Sequence, residues 1–445
     1  MVIVGAGFSG TLQAINLLRD SGPRVTLVER SSTPGLGVAY GAASAVHLLN
    51  VRAKGMSALP DDKDGFTHWL AERHPDLGPD SFVPRLVYGE YLARLLGDAR
   101  TQYPGRLTIC HGLACAIDTA GNTATVTLAD GGRIEGDVAI LAVGNLPPHD
   151  PPGFGPGLPG ELYQRDPWAG SAIAPGDPDG TVLLLGTGLT MVDVALLLRK
   201  EGFAGPIIAL SRRGLLPHRH ADQPMYDPID QRPPVAASAL VRSVRGRADA
   251  VGWRNAVDEL RPFTASMWRA TGDEEKARFL RHLRPWWDIH RHRLAPTVSA
   301  EIEEMVSAGS LSVRAGRTIA ARVADGRLDV DYRGRGDVTT TTLAVAKVIN
   351  CTGPQGNLLA TEDRLLETLL EEGTIRPDAM RIGIDVDVGS RVIGKSGQPN
   401  DRLYAIGPMT RGATWEIVAV PDIRRQVWSL SRRLCNAHWV GGEGL

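Results

Sequence analysis

Cysteine is scarce. Four residues in 445, Cys110, Cys115, Cys351 and Cys435, make no disulfide framework, so a reducing compartment is expected. No apolar run reaches the roughly 20 residues that a membrane-spanning helix needs, and no membrane partner is expected. The chain opens without a basic region followed by an apolar signal segment and runs straight into "MVIVGAGFSG". A cytoplasmic location is the expectation. Surplus charge is missing too: Lys plus Arg number 49 and Asp plus Glu 50, a formal net charge of -1. A general polyanion binder draws affinity from excess cations, so nucleic acid is not an expected partner. What is present is an ordinary globular composition, 43% hydrophobic and 22% charged. It is too long for one simple core, and two or three domains are expected.

The opening segment carries the first chemistry. Residues 2–4 are a short β-branched strand, followed by Gly5, Gly7 and Gly10. A tight turn needs Gly5, close approach of backbone to a pyrophosphate needs Gly7, and Gly10 lets the next helix pack near the strand. "TLQAINLLRD" reads as that helix, with Leu12, Ile15 and Leu18 on one face. "RVTLVER" is the next strand and ends at Glu29, whose carboxylate can accept both ribose hydroxyls of an adenosine and would repel a 2′-phosphate. Glycines, helix, strand and acid in that order point to a dinucleotide, FAD or NAD.

Residues 180–214 repeat the pattern with a different sign. Residues 183–185 form the strand, Gly186 and Gly188 the turn, Leu189 and Thr190 the helix start, and "PIIAL" the following strand. The ribose-reading position falls near Leu210 and Ser211 and holds no acid. Ser211, Arg212 and Arg213 stand there instead. A hydroxyl and two guanidiniums suit a 2′-phosphate and hence NADPH; solvated loop charges are the plainer alternative. Met191 occupies the third glycine position, which sets helix and strand further apart. Each cradle is followed by a β excursion and an apolar strand closing on a glycine, "DVAILAVGN" at Gly144 and "KVINCTG" at Gly353. The fold class expected is α/β: two Rossmann-like dinucleotide-binding domains with β excursions and a helical insertion. The expected division is 1–150 for the first part of an FAD domain, 151–345 for an NADPH domain with its insertion at about 215–305, and 346–445 for the second part of the FAD domain.

The insertion contains "WWDIHRHR", residues 286–293. Pro285 restarts a helix here. His290 and His292 are two apart, about 200° around a helix, and cannot share a metal; no metal site is expected. A salt-bridged face is one reading. A cationic pocket wall is the other, in which His218, His220, Arg291 and Arg293 bind an anionic substrate group or an NADPH phosphate.

The whole layout resembles the flavoproteins with two dinucleotide-binding domains, and the N-terminal third resembles a bacterial FAD/NAD(P)-binding family of mostly unassigned function. The resemblance implies FAD in the first cradle and NADPH in the second. "RLYAIGP", residues 402–408, resembles the last FAD strand, with Gly407-Pro408 in place of the usual Gly-Asp. "ATWEIVAVPDIRRQ" would be the following helix, its N-terminus aimed at the flavin. The disulfide-reductase branch needs paired cysteines beside the flavin, and no cysteine lies between residues 1 and 109. "HLLNVRAKGMSALPDD" resembles instead a segment of the class B, N-hydroxylating-like monooxygenases, which gives Asn50 a place beside the flavin carbon that carries oxygen. "LPGELYQRDPW" matches their fingerprint FxGxxxHxxx[YF] only at Gly160, with Leu158, Gln164 and Trp168 departing from it.

The implied cofactor contacts are Gly5, Gly7, Phe8, Ser9, Gly10, Glu29, Arg30, Asn50, Arg52, Gly144, Gly186, Gly188, Leu189, Thr190, Ser211, Arg212, Arg213, Gly353 and Gly407, with Gly144 and Gly353 in the segments where the chain passes between domains. Asn50, Trp415 and Glu416 are the catalytic candidates; a turn role for Asn50, helix packing for Trp415 and a favourable helix N-terminal charge for Glu416 are the plain alternatives. The implied reaction passes hydride from NADPH to FAD, then oxygen from a flavin peroxide to a small nucleophilic substrate, an amine or amino acid. Molecular oxygen is the co-substrate. Two alternatives stay open: an NADPH-dependent flavoprotein reductase or dehydrogenase without oxygen insertion, and a flavin-based sensor or scaffold.

Overall fold

The computed structural model describes residues 1–19, 22–170 and 173–435. Strand β1 (Val2–Val4) is fully buried because both faces of its sheet are covered. It pairs in parallel with β2 (Val25–Glu29) on one side. The first sheet also takes in β3 (Leu107–His111). The chain then leaves for a three-stranded antiparallel excursion, β4 (Ala114–Asp118), β5 (Ala124–Leu128) and β6 (Arg133–Gly136). It returns as β7 (Ala139–Leu141), parallel to β1 on its other side. The C-terminal third adds β15 (Arg391–Ile393) and β16 (Pro399–Ala405), giving the order β15-β16-β7-β1-β2-β3.

The second sheet is built the same way. Its parallel centre is β9 (Val182–Leu185) between β10 (Ile207–Ser211) and β14 (Lys347–Asn350), with β8 (Tyr163–Gln164) outside β14. The long β11 (Leu311–Ala324) pairs in parallel with β10 and then runs out into a hairpin with β12 (Arg327–Gly334) and β13 (Thr341–Val345). Strand β14 therefore completes the second sheet. The chain rejoins the first sheet only beyond Asn350, later than the expected division at 345/346.

Helix α1 (Phe8–Arg19) is buried from Ser9 to Leu18, between the first sheet, α4 (Arg85–Gln102) and α13 (Val420–Leu434). Short helices α2 (Gly37–Gly41) and α3 (Gly65–Arg73) and, later, α12 (Arg364–Glu371) complete the first domain. Helix α5 (Leu189–Lys200) is its counterpart in the second. The insertion holds α6 (Ala237–Val251), α7 (Trp253–Asp258), α8 (Thr264–Ala270), α9 (Asp273–Arg278) and α10 (Arg284–Arg291).

Two expectations change. Helix α11 (Pro296–Ser307) packs Val298, Ile302 and Met305 into the second core, so it is not insertion. Two parallel neighbours, β10 and β11, need a crossover, and α11 supplies it. The insertion ends near Leu294. The final helix begins at Val420 and not at Ala413, with Pro421 in its first turn; Trp415 and Glu416 lie in the turns before it. Among the described residues no helix is long and apolar enough to cross a membrane.

Candidate active site

The two cradles superimpose in their logic. Gly5 has φ +102° and Gly186 φ +118°. A Cβ on Gly5 would run into the carbonyl oxygen of Ala142, and one on Gly186 into that of Cys351. Each turn is thus pressed against the strand end that follows its own excursion. Bare backbone then faces open space: a Cβ on Gly144, Gly188 or Gly353 would meet nothing within 4 Å. Gly7 lies against only the Cα of Gly37, 3.6 Å from where its Cβ would be. Gly10 packs on the Gly5 carbonyl, as helix–strand contact requires. Both turns fit a dinucleotide phosphate lying over exposed amides.

The ends of the second strands of the two cradles differ. The Glu29 carboxylate accepts from Ala6 N (2.7 Å) and Ser31 N (2.8 Å), which aims it across the first turn. Neighbouring Arg30 is largely exposed and lies 3.8 Å from Asp363. At the second cradle the Ser211 hydroxyl is shared with Thr187 Oγ1 (2.8 Å) and accepts from Gly214 N (3.0 Å). It holds the loop. Arg212 is exposed and Arg213 half-buried, and neither forms an ion pair among the described residues. Phe8 and Ser9 open α1, and Leu189 and Thr190 open α5. Gly407 closes on the first cradle: a Cβ there would strike Ser9 Oγ. Its N–H donates to Gln426 Oε1 (2.7 Å).

A tongue from the first domain is wedged against the second. Val46, Leu48 and Phe82 pack on the second core. His47 is fully buried; its Nδ1 accepts from Ser44 N (3.0 Å) and its Nε2–H donates to the Asp193 carbonyl (3.1 Å). Burial holds the imidazole below its usual pKa, so it is neutral. Arg85, first residue of α4, meets the Asp193 carboxylate on α5 at 2.8 Å. Burial raises the pKa of Asp193, and Arg85 opposes that shift. Further along the tongue, the insertion takes hold. His220 Nε2–H donates to the Asn50 carbonyl (2.9 Å), and Asp222 pairs with Arg52 (2.6 Å). The Arg52 guanidinium also bonds the Asp80 carbonyl and lies over Phe82. The Asn50 carboxamide makes no hydrogen bond among the described residues.

The segment 286–293 docks on the turns after Gly407. Trp287 Nε1–H donates to Glu416 Oε1 (2.9 Å), and Arg291 lies 3.4 Å from the other Glu416 oxygen. Trp415 stacks on Trp268 with ring centroids 5.0 Å apart and takes Phe279 edge-on. Arg284 pairs with Asp288 (3.4 Å) and lies over the Trp415 ring. Arg293 is buried and paired with Asp258; His218 packs against Trp253 and His290. Of the four residues expected to line an anion pocket, His220, Arg291 and Arg293 are held by protein partners, and His218 packs its ring on Trp253 and His290. The salt-bridged face is the better description. Trp415 and Glu416 are the surface that holds this face in place.

Sequence reading missed His47, Arg85 and Asp193. Arg85 and Asp193 are 108 residues apart in sequence. Only the position of Asp193 inside an otherwise apolar, buried helix face carries a signal.

Two largely parallel sheets, each with a glycine-turn cradle, are joined through segments that meet in an antiparallel bridge at Leu146 and Gln355. Residues 2–146 match a family model described as FAD-NAD(P)-binding. No curated protein matches the chain in sequence. Among solved structures, the L-lysine 6-monooxygenase of Pseudomonas syringae is similar with a TM-score of 0.66 at 14% identity, covering 98% of this chain and 99% of that one. The ornithine N-hydroxylase of Kutzneria sp. 744, in a structure with reduced FAD, NADP+ and L-ornithine, gives 0.64 at 14%, over 97% and 98%. The cadaverine monooxygenase of Erwinia amylovora, bound to FAD, gives 0.65 at 10%, over 100% and 97%. The shared fold thus covers 97–100% of the chain in these comparisons.

Proposed function

We propose that the protein is an NADPH-dependent, FAD-containing monooxygenase that hydroxylates a small amine. The observation that carries this is the pair of cradles of opposite charge in one chain, Glu29 at one ribose end and unpaired Arg212 and Arg213 at the other. The full-length likeness to three amine monooxygenases supports it.

The chain's own residues have definable tasks. The amides of the Gly5–Gly7 turn and the start of α1 would hold the FAD pyrophosphate, and Glu29 its adenosine ribose. The Gly186–Gly188 turn and α5 would hold the NADPH pyrophosphate, with Arg212 and Arg213 on its 2′-phosphate. Bound FAD supplies hydride acceptance and oxygen activation, which no side chain provides. The protein's part is to orient and to keep water out. The Trp268–Trp415–Phe279 stack and the buried Glu416 close one side. Asn50, fixed by His220 through its backbone, keeps a free carboxamide to donate to a polar group in the cleft. Substrate carries no requirement for an acid–base triad, since a neutral amine is itself the nucleophile. Molecular oxygen and the amine are the partners of this reading, in the cytoplasm.

The test is aerobic NADPH consumption by FAD-loaded protein with L-lysine, L-ornithine and cadaverine, scored for hydroxylated amine. Product formed in step with NADPH is the expected result. NADPH consumed with release of hydrogen peroxide alone, for every amine, contradicts oxygen insertion and leaves a reductase.

A further inference from the structure

We propose that Arg411 receives a carboxylate of the substrate, so that the amine accepted is an amino acid in preference to the corresponding diamine. The proposal rests on the reading above and names the substrate class for that site.

Arg411 lies four residues past Gly407, on the turn that leaves the carboxyl end of β16 beside the first cradle. Ligands of open α/β sheets bind at that end of the strands. The backbone on both sides of Arg411 is held. Thr410 is fully buried, and its N–H donates to the Gly407 carbonyl (2.9 Å). The Gly412 carbonyl accepts from Trp268 Nε1 (2.8 Å). The side chain therefore projects from a fixed point.

Its surroundings contain carboxylates, and none is paired with it. Glu416 serves Trp287 and Arg291; Asp288 serves Arg284. Asp378 accepts from Met380 N and Ile382 N, both at 2.8 Å. Among the described residues Arg411 forms no ion pair and no side-chain hydrogen bond. Every other arginine of this cluster has a partner: Arg261 with Asp422, Arg284 with Asp288, Arg291 with Glu416. Burial, then repulsion from Arg284, pushes the Arg411 guanidinium down to about 10. A withdrawn cation without an anion is costly, and a guanidinium takes a carboxylate through two parallel hydrogen bonds.

Lysine and cadaverine differ by one carboxylate, as do ornithine and 1,4-diaminobutane. Calorimetric titration of FAD-loaded wild type with each pair is expected to give the amino acid about 10- to 100-fold tighter binding, the range of one charge-assisted contact. Arg411→Met is expected to bring that ratio near one. Arg411→Lys, which keeps the charge and controls for folding, is expected to retain part of it. Equal binding within each pair, no binding of either pair, or an undiminished ratio in Arg411→Met overturns the proposal. So does a loss confined to NADP+ affinity, which would give the cation to a cofactor phosphate. If wild type keeps the ratio but its FAD is not reduced by NADPH, the oxidoreductase reading fails and the carboxylate site stands.

Discussion

Arg212 and Arg213 follow the end of β10, where the matching strand of the other cradle ends in Glu29, and that difference of sign is the most consequential local feature of the chain. Replacing both by Gln removes up to two charge-assisted contacts to a 2′-phosphate. The KM for NADPH is expected to rise about 10- to 100-fold while that for NADH moves little. Equal changes for both cofactors would show them to be solvated loop charges. At this scale much was legible. The turns at Gly5, Gly7 and Gly186 and the strand end at Glu29 declare themselves because a strand–turn–helix unit is local, and their spacing is set within about 30 residues. Residues whose roles depend on distant partners do not. Arg291 and Arg293 look like free cations in "WWDIHRHR" and are paired with Glu416 and Asp258. Arg411 looks ordinary in "MTRGATW" and, unlike its arginine neighbours, has no partner among the described residues.

The elements are locked to one another by few, buried, polar contacts. Helix α5 carries the second cradle at its N-terminus and is fastened to the first domain through Asp193, Arg85 and His47. Breaking a buried pair from one side strands the other charge. Arg85→Met is therefore expected to cost about 3–5 kcal/mol by urea denaturation, and Arg85→Met with Asp193→Leu much less. Additive losses would mean that the pair does not act as a unit. His47 adds a pH term. Its pKa is lowered from 6.5 by burial, with Arg85 and Lys200 acting in the same direction and Asp193 against. The unfolded chain binds a proton that the folded one refuses, so this contribution is whole above about pH 6.5 and is lost as pH falls toward the folded value. The stability advantage of wild type over His47→Gln is expected to shrink between about pH 7.5 and about pH 5.5. An advantage that grows on acidification would contradict a neutral buried imidazole. Element boundaries were less legible than element types. The crossover helix α11 reads like more insertion because its apolar face shows only its period, not the core it joins. The last helix starts after a stretch in which Gly412, Trp415 and Glu416 seat the insertion.

The molecule as a whole is a doubled design with one large asymmetry. Both halves press a positive-φ glycine against the carbonyl at a later strand end, Ala142 or Cys351, and both send out a β excursion before closing their sheet. This duplication was readable from order alone, since each half repeats the same strands and glycines. The insertion has no copy in the first half, so nothing in the chain served as its template, and its seat on Trp415 and Glu416 emerges only from the packed structure. The central claim is that the two cradles serve a single electron transfer, from a phosphorylated nicotinamide to a flavin. Its most direct test is anaerobic titration of the FAD-loaded protein with NADPH and, separately, NADH, followed by the flavin's visible absorbance. Stoichiometric bleaching by NADPH, with NADH much slower, is the predicted result. A protein that takes up no FAD, or one whose flavin NADH bleaches as readily as NADPH, would contradict the account.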